Sequence, residues 1–499
     1  MNHTYLGIDI GTQSVKVLCY DAGHRALAAV ASSSLDLISE GDGTREQLAQ
    51  WWIEALRDCM AQIDPGIRRS VAAVGVSGQQ HGFVALDAAG GVLAPVKLWC
   101  DTATVAECEQ ITAAFGGGEA RCIREVGNAI KPGYTASKIL WLKHHHPDLY
   151  RRLDTILLPH DYINFYLTGE RVMEFGDASG TGLLDVRNRR WHTQMLAAVD
   201  PDRDLMKCLP PLVEPDAVIG QLQQAIASDL GLPAGIPVSA GGGDNMMAAI
   251  GTGNVAPGRL TVSLGTSGTL FAYAEQPIVD EGGALAAFCA SSGGWLPLLC
   301  TMNCTVATEL TRDLFQLPLA ELDRRIGEVP AGSNGVMTLP FFNGERTPDL
   351  PAGKGCIFGL DNDNYRADNL MRSAMESAVY GLRAGLDAFG EQGCDISEIR
   401  LTGGGSRSAI WCQMVADVFD LPVSVQKIDE GAALGAALQA CWMHRRQQGD
   451  DQPLVNLLDQ HLETDPARGC EPVPAAAAAY RQHYRQYLRH VAVIAPLYS

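Results

Sequence analysis

A chain of 499 residues is too long for one comfortable core, and two or three domains are expected. With 46% hydrophobic and 19% charged residues it is not a disordered chain. Its formal net charge of −19 repels nucleic acid and anionic membranes, so any anionic ligand must be held by local backbone dipoles.

The first apolar run, Tyr5–Ile10, contains Asp9 and predicts a strand. With no basic leader and no signal-peptide core, it points to a cytoplasmic protein. No stretch approaches the length of a membrane span. Gly11-Thr12-Gln13-Ser14 breaks the run, Val15–Tyr20 resumes it, and Asp21-Ala22-Gly23-His24 turns the chain into Arg25–Val30. Leu48, Trp51, Trp52, Ala55, Leu56 and Cys59 recur at helical spacing within Glu46–Ile63. Val71–Val76 reads as a buried strand that ends in Gly78-Gln79-Gln80-His81-Gly82. Alternating strands and helices predict an α/β fold.

The second half restarts this plan. Leu260–Leu264 ends in Gly265-Thr266-Ser267-Gly268 and resumes at Thr269–Tyr273. Ile399–Leu401 runs into Gly403-Gly404-Gly405, as Val74–Val76 runs towards Gly78. Two related domains are expected, 1–247 and 248–442, joined near Gly241-Gly242-Gly243-Asp244-Asn245 and Ala248–Pro257, with a helical extension over 443–499. The fourteen cysteines are scattered with no CxxC pair. The closest two, Cys300 and Cys304, read as reduced core thiols, which suits a reducing compartment.

Turns rich in Gly and hydroxyls between strands supply converging N–H donors for a phosphate chain. Two of them, each opening its own α/β domain, suggest two jaws on one polyphosphate. The candidate phosphate and nucleotide residues are Gly11, Thr12, Gln13, Ser14 and Lys16 in the first half. In the second half they are Gly265, Thr266, Ser267, Gly403, Gly404, Gly405 and Ser406. No P-loop and no dinucleotide fingerprint competes with them. Asp9, at a strand end beside the first turn, either caps backbone N–H groups or holds Mg2+. Asp244, after three glycines, is either an ordinary turn residue or the group that takes the proton of an attacking hydroxyl. Asp9 and Asp244 are also the candidate metal carboxylates. Gln80, His81, Trp99, Asp101 and Asn245 offer the neutral, aromatic and acidic contacts of a polyol site.

The ordered set Gly7–Thr12, Gly241–Asn245, Ser263–Gly268 and Gly403–Gly405 resembles the FGGY carbohydrate kinases of the actin-like ATPase superfamily. So do Gly133–Trp141, Gly355–Leu360 and the Asn369-Leu370…Ser373–Glu376 stretch. The resemblance covers nearly the whole chain. It implies two ribonuclease-H-like domains flanking a central cleft, with ATP and Mg2+ as cofactors. It makes Asp244 the general base, has Asp9 help place Mg2+, and puts Gln80 and His81 on the sugar. Within the family, Gly78–Gly82 and Asn343–Pro348 look most like the stretches of kinases that act on D-xylulose, although Cys100 stands where many of these have Asn. The Arg-Glu pair of glycerol kinases is missing. The expected partners are a small sugar and ATP, with neither nucleic acid nor membrane, and a homodimer is compatible with this reading. A kinase for another ketose or polyol such as ribulose, an actin-like chaperone or filament ATPase, and a non-enzymatic sugar sensor are the rivals.

Overall fold

The computed structural model describes residues 3–498. In chain order the elements that place the site begin with β1 (Thr4–Ile10), β2 (Ser14–Asp21), β3 (Ala26–Ser34), α1 (Ala49–Ala61), β4 (Val71–Gly78) and α2 (Thr135–His145). They continue with β5 (Val218–Gln221), β6 (Pro237–Ser239), β7 (Gly242–Gly243) and α3 (Asp244–Thr252). Next come β8 (Arg259–Leu264), β9 (Gly268–Ala272), β10 (Leu298–Thr301), α4 (Ala367–Glu391), β11 (Glu398–Thr402), α5 (Ala409–Phe419) and β12 (Val423–Val425). The helices α6 (Gly431–Gln447) and α7 (Pro474–Ile494) follow.

The same sheet plan occurs twice. The first sheet runs β5-β6-β4-β1-β2-β3, with β7 added on β4. Its β1, β2 and β3 are antiparallel, while β4 lies parallel to β1. The second sheet runs β10-β9-β8-β11-β12. Here β8, β9 and β10 are antiparallel, and β11 lies parallel to β8. This is the two-domain α/β architecture that the resemblance implied. Hairpins join β1 to β2, β2 to β3 and β8 to β9, and the parallel strands need the long helical crossovers that the alternating pattern contained. Among the described residues no helix is long and apolar enough to cross a membrane.

Two compact units result. One comprises 3–255, 274–297 and 430–462, and the other comprises 256–273, 298–429 and 463–498. These units differ from the divisions expected at 247/248 and 442/443, because α6 packs on the first sheet. The reason is steric and local. A Cβ on Gly7 would lie 1.9 Å from the Ala433 carbonyl oxygen, and one on Gly75 would lie 2.0 Å from that of Ala436. The absence of a side chain at Gly7 of β1 and at Gly75 of β4 lets the small-residue face of α6 reach the sheet backbone. Ala248 also lies inside α3 rather than in a crossing segment. On the other face, Trp52 and Leu56 of α1 join Leu6, Ile8, Val17 and Val74 in one core.

Candidate functional site

The first unit gathers most of the expected residues at the carboxyl ends of β1 and β4. The β1–β2 turn is closed by the Gly11 N–H, which donates to the Ser14 carbonyl at 3.0 Å. Thr12 Oγ1 accepts from Trp99 Nε1 at 3.0 Å and donates to Gln79 Oε1 at 3.1 Å. Gln79 Nε2 then donates to Gln47 Oε1 at 2.9 Å, and Gln47 Nε2 to the Thr12 carbonyl at 2.8 Å. Gln47 and Gln79 are buried, so this ring of bonds fixes the turn from beneath. Gln13, at the tip, is exposed. Lys16 is paired with Glu430.

Asp9, the penultimate residue of β1, is partly exposed, and Ser77 Oγ donates to its Oδ1 at 2.7 Å. Desolvation raises the Asp9 carboxyl above the usual carboxylate range, against the Ser77 bond and the Lys16 charge. β7 pairs with the end of β4, Gly242 with Ser77 and Gly243 with Gly78. That register delivers Asp244 to the first turn of α3. Burial, and then the charge of Asp9, push the Asp244 carboxyl up to about 7. Asn245 Nδ2 donates to Asp244 Oδ1 at 3.0 Å and to Gln80 Oε1 at 2.9 Å.

His81 is left-handed, with φ of 66°. Lys138 Nζ on α2 holds its carbonyl at 2.7 Å, and the ring lies edge-on to Tyr134 and stacked on Phe288. Lys138 is fully buried, and burial pulls its ammonium down to about 7. Behind this loop sits His160, with Nδ1 2.8 Å from Asp177 and Nε2 2.9 Å from Asp161. Burial opposes charge on this imidazole, but the two carboxylates outweigh it and raise its pKa well above the usual histidine value. Asp101 is placed differently from the sugar contact expected of it. Its carboxylate is filled by the Arg45 N–H at 2.8 Å, the Ala103 N–H at 3.0 Å and Lys97 Nζ at 3.1 Å.

Sequence reasoning missed Gln47, Ser77 and the His160–Asp177 pair. Their partners are distant in the chain, and a lone polar residue in a helix or strand carries no such signal. Lys138 did leave a trace, as a lysine directly before the apolar Ile139-Leu140-Trp141-Leu142 run.

The second unit brings its own two turns together. β8 and β11 pair up to Ser263 and Thr402, so Gly265–Ser267 and Gly403–Ser406 leave the same end of one sheet. Gly403 has φ of 85°, and a Cβ there would lie 2.8 Å from the Leu264 carbonyl oxygen. Gly265 N–H donates to the Ser267 carbonyl at 3.1 Å, the same closure that Gly11 makes. Thr266 and Gly404 are exposed, while Gly405 and Ser406 are buried, and Ser406 Oγ donates to Asp429 at 3.3 Å. Cys300 and Cys304 are buried thiols, and burial pushes the Cys304 thiol up to about 12, which leaves it inert.

A divalent cation fits the carboxylates of the first unit in a limited way. The charge of Asp9 reaches Asp244 and adds to burial in raising its carboxyl. Among the described residues no set of three His, Cys, Asp or Glu side chains is placed to hold a metal ion. One or two carboxylates with water and substrate phosphates are the donor set that Mg2+ accepts.

The N-terminal domain of the FGGY family of carbohydrate kinases matches residues 4–251, and its C-terminal domain matches residues 260–444. A xylulose kinase of Haemophilus influenzae is 41% identical over 494 residues, 98% of this chain and 99% of that protein. A xylulose kinase of Escherichia coli is 35% identical, covering 91% and 92% of the two chains. A solved structure described as a xyloylose kinase from Brucella ovis superposes with a TM-score of 0.90 at 31% identity, covering 99% and 100%. The two domain models and these near-full-length matches span the sequence almost from end to end: the chain belongs to the FGGY family of carbohydrate kinases.

Proposed function

We propose that the chain transfers the γ-phosphoryl group of ATP to the 5-hydroxyl of D-xylulose. The observation that carries this reading is the Asp244–Asn245–Gln80 chain of hydrogen bonds beside His81. It sets a carboxylate of near-neutral pKa against neutral polyol-binding groups. The relatives named xylulose kinases, at 41% and 35% identity, supply the sugar.

Gln80, His81 and Asn245 bind the sugar hydroxyls and orient the attacking one. Trp99 lines this side, and Asp101 acts by holding the Arg45–Ala103 loop through its own donors. Asp244 accepts the proton of the 5-hydroxyl as the oxygen attacks. A base with a pKa near the working pH suits this step, since about half of it is ionised and it is still basic. On the second unit, Gly265, Thr266, Ser267 and the Gly403–Ser406 turn hold ATP through backbone N–H groups and hydroxyls. On the first unit, Gly11, Thr12, Gln13, Ser14 and Lys16 meet the transferred phosphate. Asp9, with Asp244, would hold Mg2+, which neutralises charge on the phosphate oxygens. Positioning and charge stabilisation account for the catalysis, because phosphoryl transfer asks little covalent help of the protein.

The test is a coupled ADP-release assay with Mg-ATP against a panel of ketoses and polyols. Release dependent on D-xylulose supports the reading. Release with another sugar alone keeps the transfer chemistry and removes the substrate. Release indifferent to every sugar overturns the kinase reading itself.

A further inference from the structure

Gln439 sits in the middle of α6, fully buried, and uses every hydrogen-bonding position of its side chain. Its Oε1 accepts from the Gly241 N–H at 2.8 Å and from Ser239 Oγ at 2.9 Å. Its Nε2 donates to the Gly241 carbonyl at 3.1 Å and to the Ser291 carbonyl at 3.1 Å. A single side chain thus holds both backbone groups of Gly241, three residues before Asp244.

Gly241 needs such a clamp. It is left-handed, with φ of 73°, and a Cβ there would lie 2.4 Å from the Val76 carbonyl oxygen and 3.2 Å from His160 Cδ2. From this point β7 runs two residues along the end of β4 and opens α3 at Asp244. A rotation at Gly241 would swing the whole of this short lead. The Ser291 backbone is held by the same amide, and Ser291 Oγ lies 2.3 Å from where a Gly242 Cβ would be, so the lead is pressed from that side as well.

We propose that Gln439 is a positioning residue for the transfer reaction: it fixes the backbone of Gly241 and thereby the place of the Asp244 carboxylate. The proposal rests on Asp244 being the base. Gln439 touches no reacting atom in this scheme. Its contribution is geometric, and a displacement of about 1 Å at a reacting group costs on the order of 100-fold in rate.

The experiment compares Gln439→Leu, Gln439→Glu, Leu438→Ala and Asp244→Asn in the full chain, well below each melting temperature. Leu438 is a fully buried neighbour on α6 and controls for simple loss of stability. Gln439→Leu is expected to lower kcat about 100-fold while the KM for sugar and for ATP stay within about threefold. Gln439→Glu keeps the shape and both acceptor contacts but loses donors to the Gly241 and Ser291 carbonyls. It is expected to lower kcat about 10-fold, and it decides the matter if Gln439→Leu does not fold. Leu438→Ala is expected to melt earlier with kcat near that of the parent. A Gln439 variant that turns over like Leu438→Ala, alongside an inactive Asp244→Asn, overturns the positioning role alone. Near-normal turnover by Asp244→Asn overturns the assignment of the base, and this proposal falls with it.

Discussion

Asn245 Nδ2 lies 2.9 Å from Gln80 Oε1, which links the first turn of α3 to the end of β4. The same amide reaches Asp244 at 3.0 Å, so one side chain orients both the proposed sugar-binding group Gln80 and the proposed base. Asn245→Ala removes both bonds. At about 1 kcal/mol for each hydrogen bond, the sugar KM should rise roughly 10-fold and kcat should fall, with the KM for ATP little changed. Steady-state kinetics with sugar varied at saturating ATP measure this. An unchanged sugar KM would place the sugar elsewhere.

The raised carboxyl of Asp244 makes a prediction about stability as well as rate. Folding moves this group from 3.8 to about 7, so the folded state binds its proton more tightly than the unfolded chain. Over that window the folded state carries more protons, and stability from this group falls as pH rises from about 4 to about 7. Above 7 the folded protein bears the full cost of the ionised carboxylate. Asp244→Asn escapes that cost. It should therefore melt above the parent at pH 8, with the gap narrowing as pH falls towards 5, while turnover is lost. Thermal melts of the ligand-free protein at both pH values test it. A gap that does not depend on pH would show that the carboxylate is not the source.

The Gly-Thr turns were legible because each element of the signal is local. A Gly that closes a hairpin, hydroxyls beside it and apolar runs on both flanks sit within a dozen residues of Gly11 or Gly265. Asp9 and Asp244 were legible for the same reason. Gln47 and Gln439 were not, because a glutamine near or in a helix looks like a solvated one until its partners are known. For Gln439 those partners include Gly241, 198 positions away. The assignment of 430–462 to the first unit was hidden likewise, since the glycines that admit α6 lie on β1 and β4. Asp101 shows the opposite difficulty. Its neighbours Trp99 and Cys100 suggested a ligand face, yet Asp101 is fully buried and pairs with Lys97, four residues back.

Gln47 anchors the Gly11–Ser14 turn, proposed above to meet phosphate, and its removal should be felt in both folding and nucleotide use. Trp52 Nε1 donates to Gln47 Oε1 at 3.0 Å, and Gln79 Nε2 shares that oxygen. Gln47→Leu leaves these two buried donors without their acceptor and frees the Thr12 carbonyl. Each unsatisfied buried group costs about 1–3 kcal/mol, so a loss of roughly 2–6 kcal/mol is expected in urea unfolding. The KM for ATP should rise in the same variant, because Thr12 no longer has a fixed place. Full stability with normal ATP use would remove Gln47 from the turn's support.

Gly404 separates the needs of the fold from those of the nucleotide. A Cβ at this position meets nothing within 4 Å, in contrast to Gly403, whose Cβ would press on the Leu264 backbone. Gly404→Val should therefore fold with stability within about 1 kcal/mol of the parent. If adenosine or its phosphates pass over this turn, the new side chain occupies their path, and the KM for ATP should rise ~10-fold or more with the sugar KM nearly unchanged. Gly403→Val should instead lose stability, because it combines a left-handed backbone with a 2.8 Å approach to a carbonyl. Melting curves and ATP-dependent kinetics on the two variants distinguish the cases. Normal ATP kinetics in a well-folded Gly404→Val would move the nucleotide off the Gly403–Ser406 turn, whereas loss of folding in that variant would show that the turn is closed by something other than a ligand.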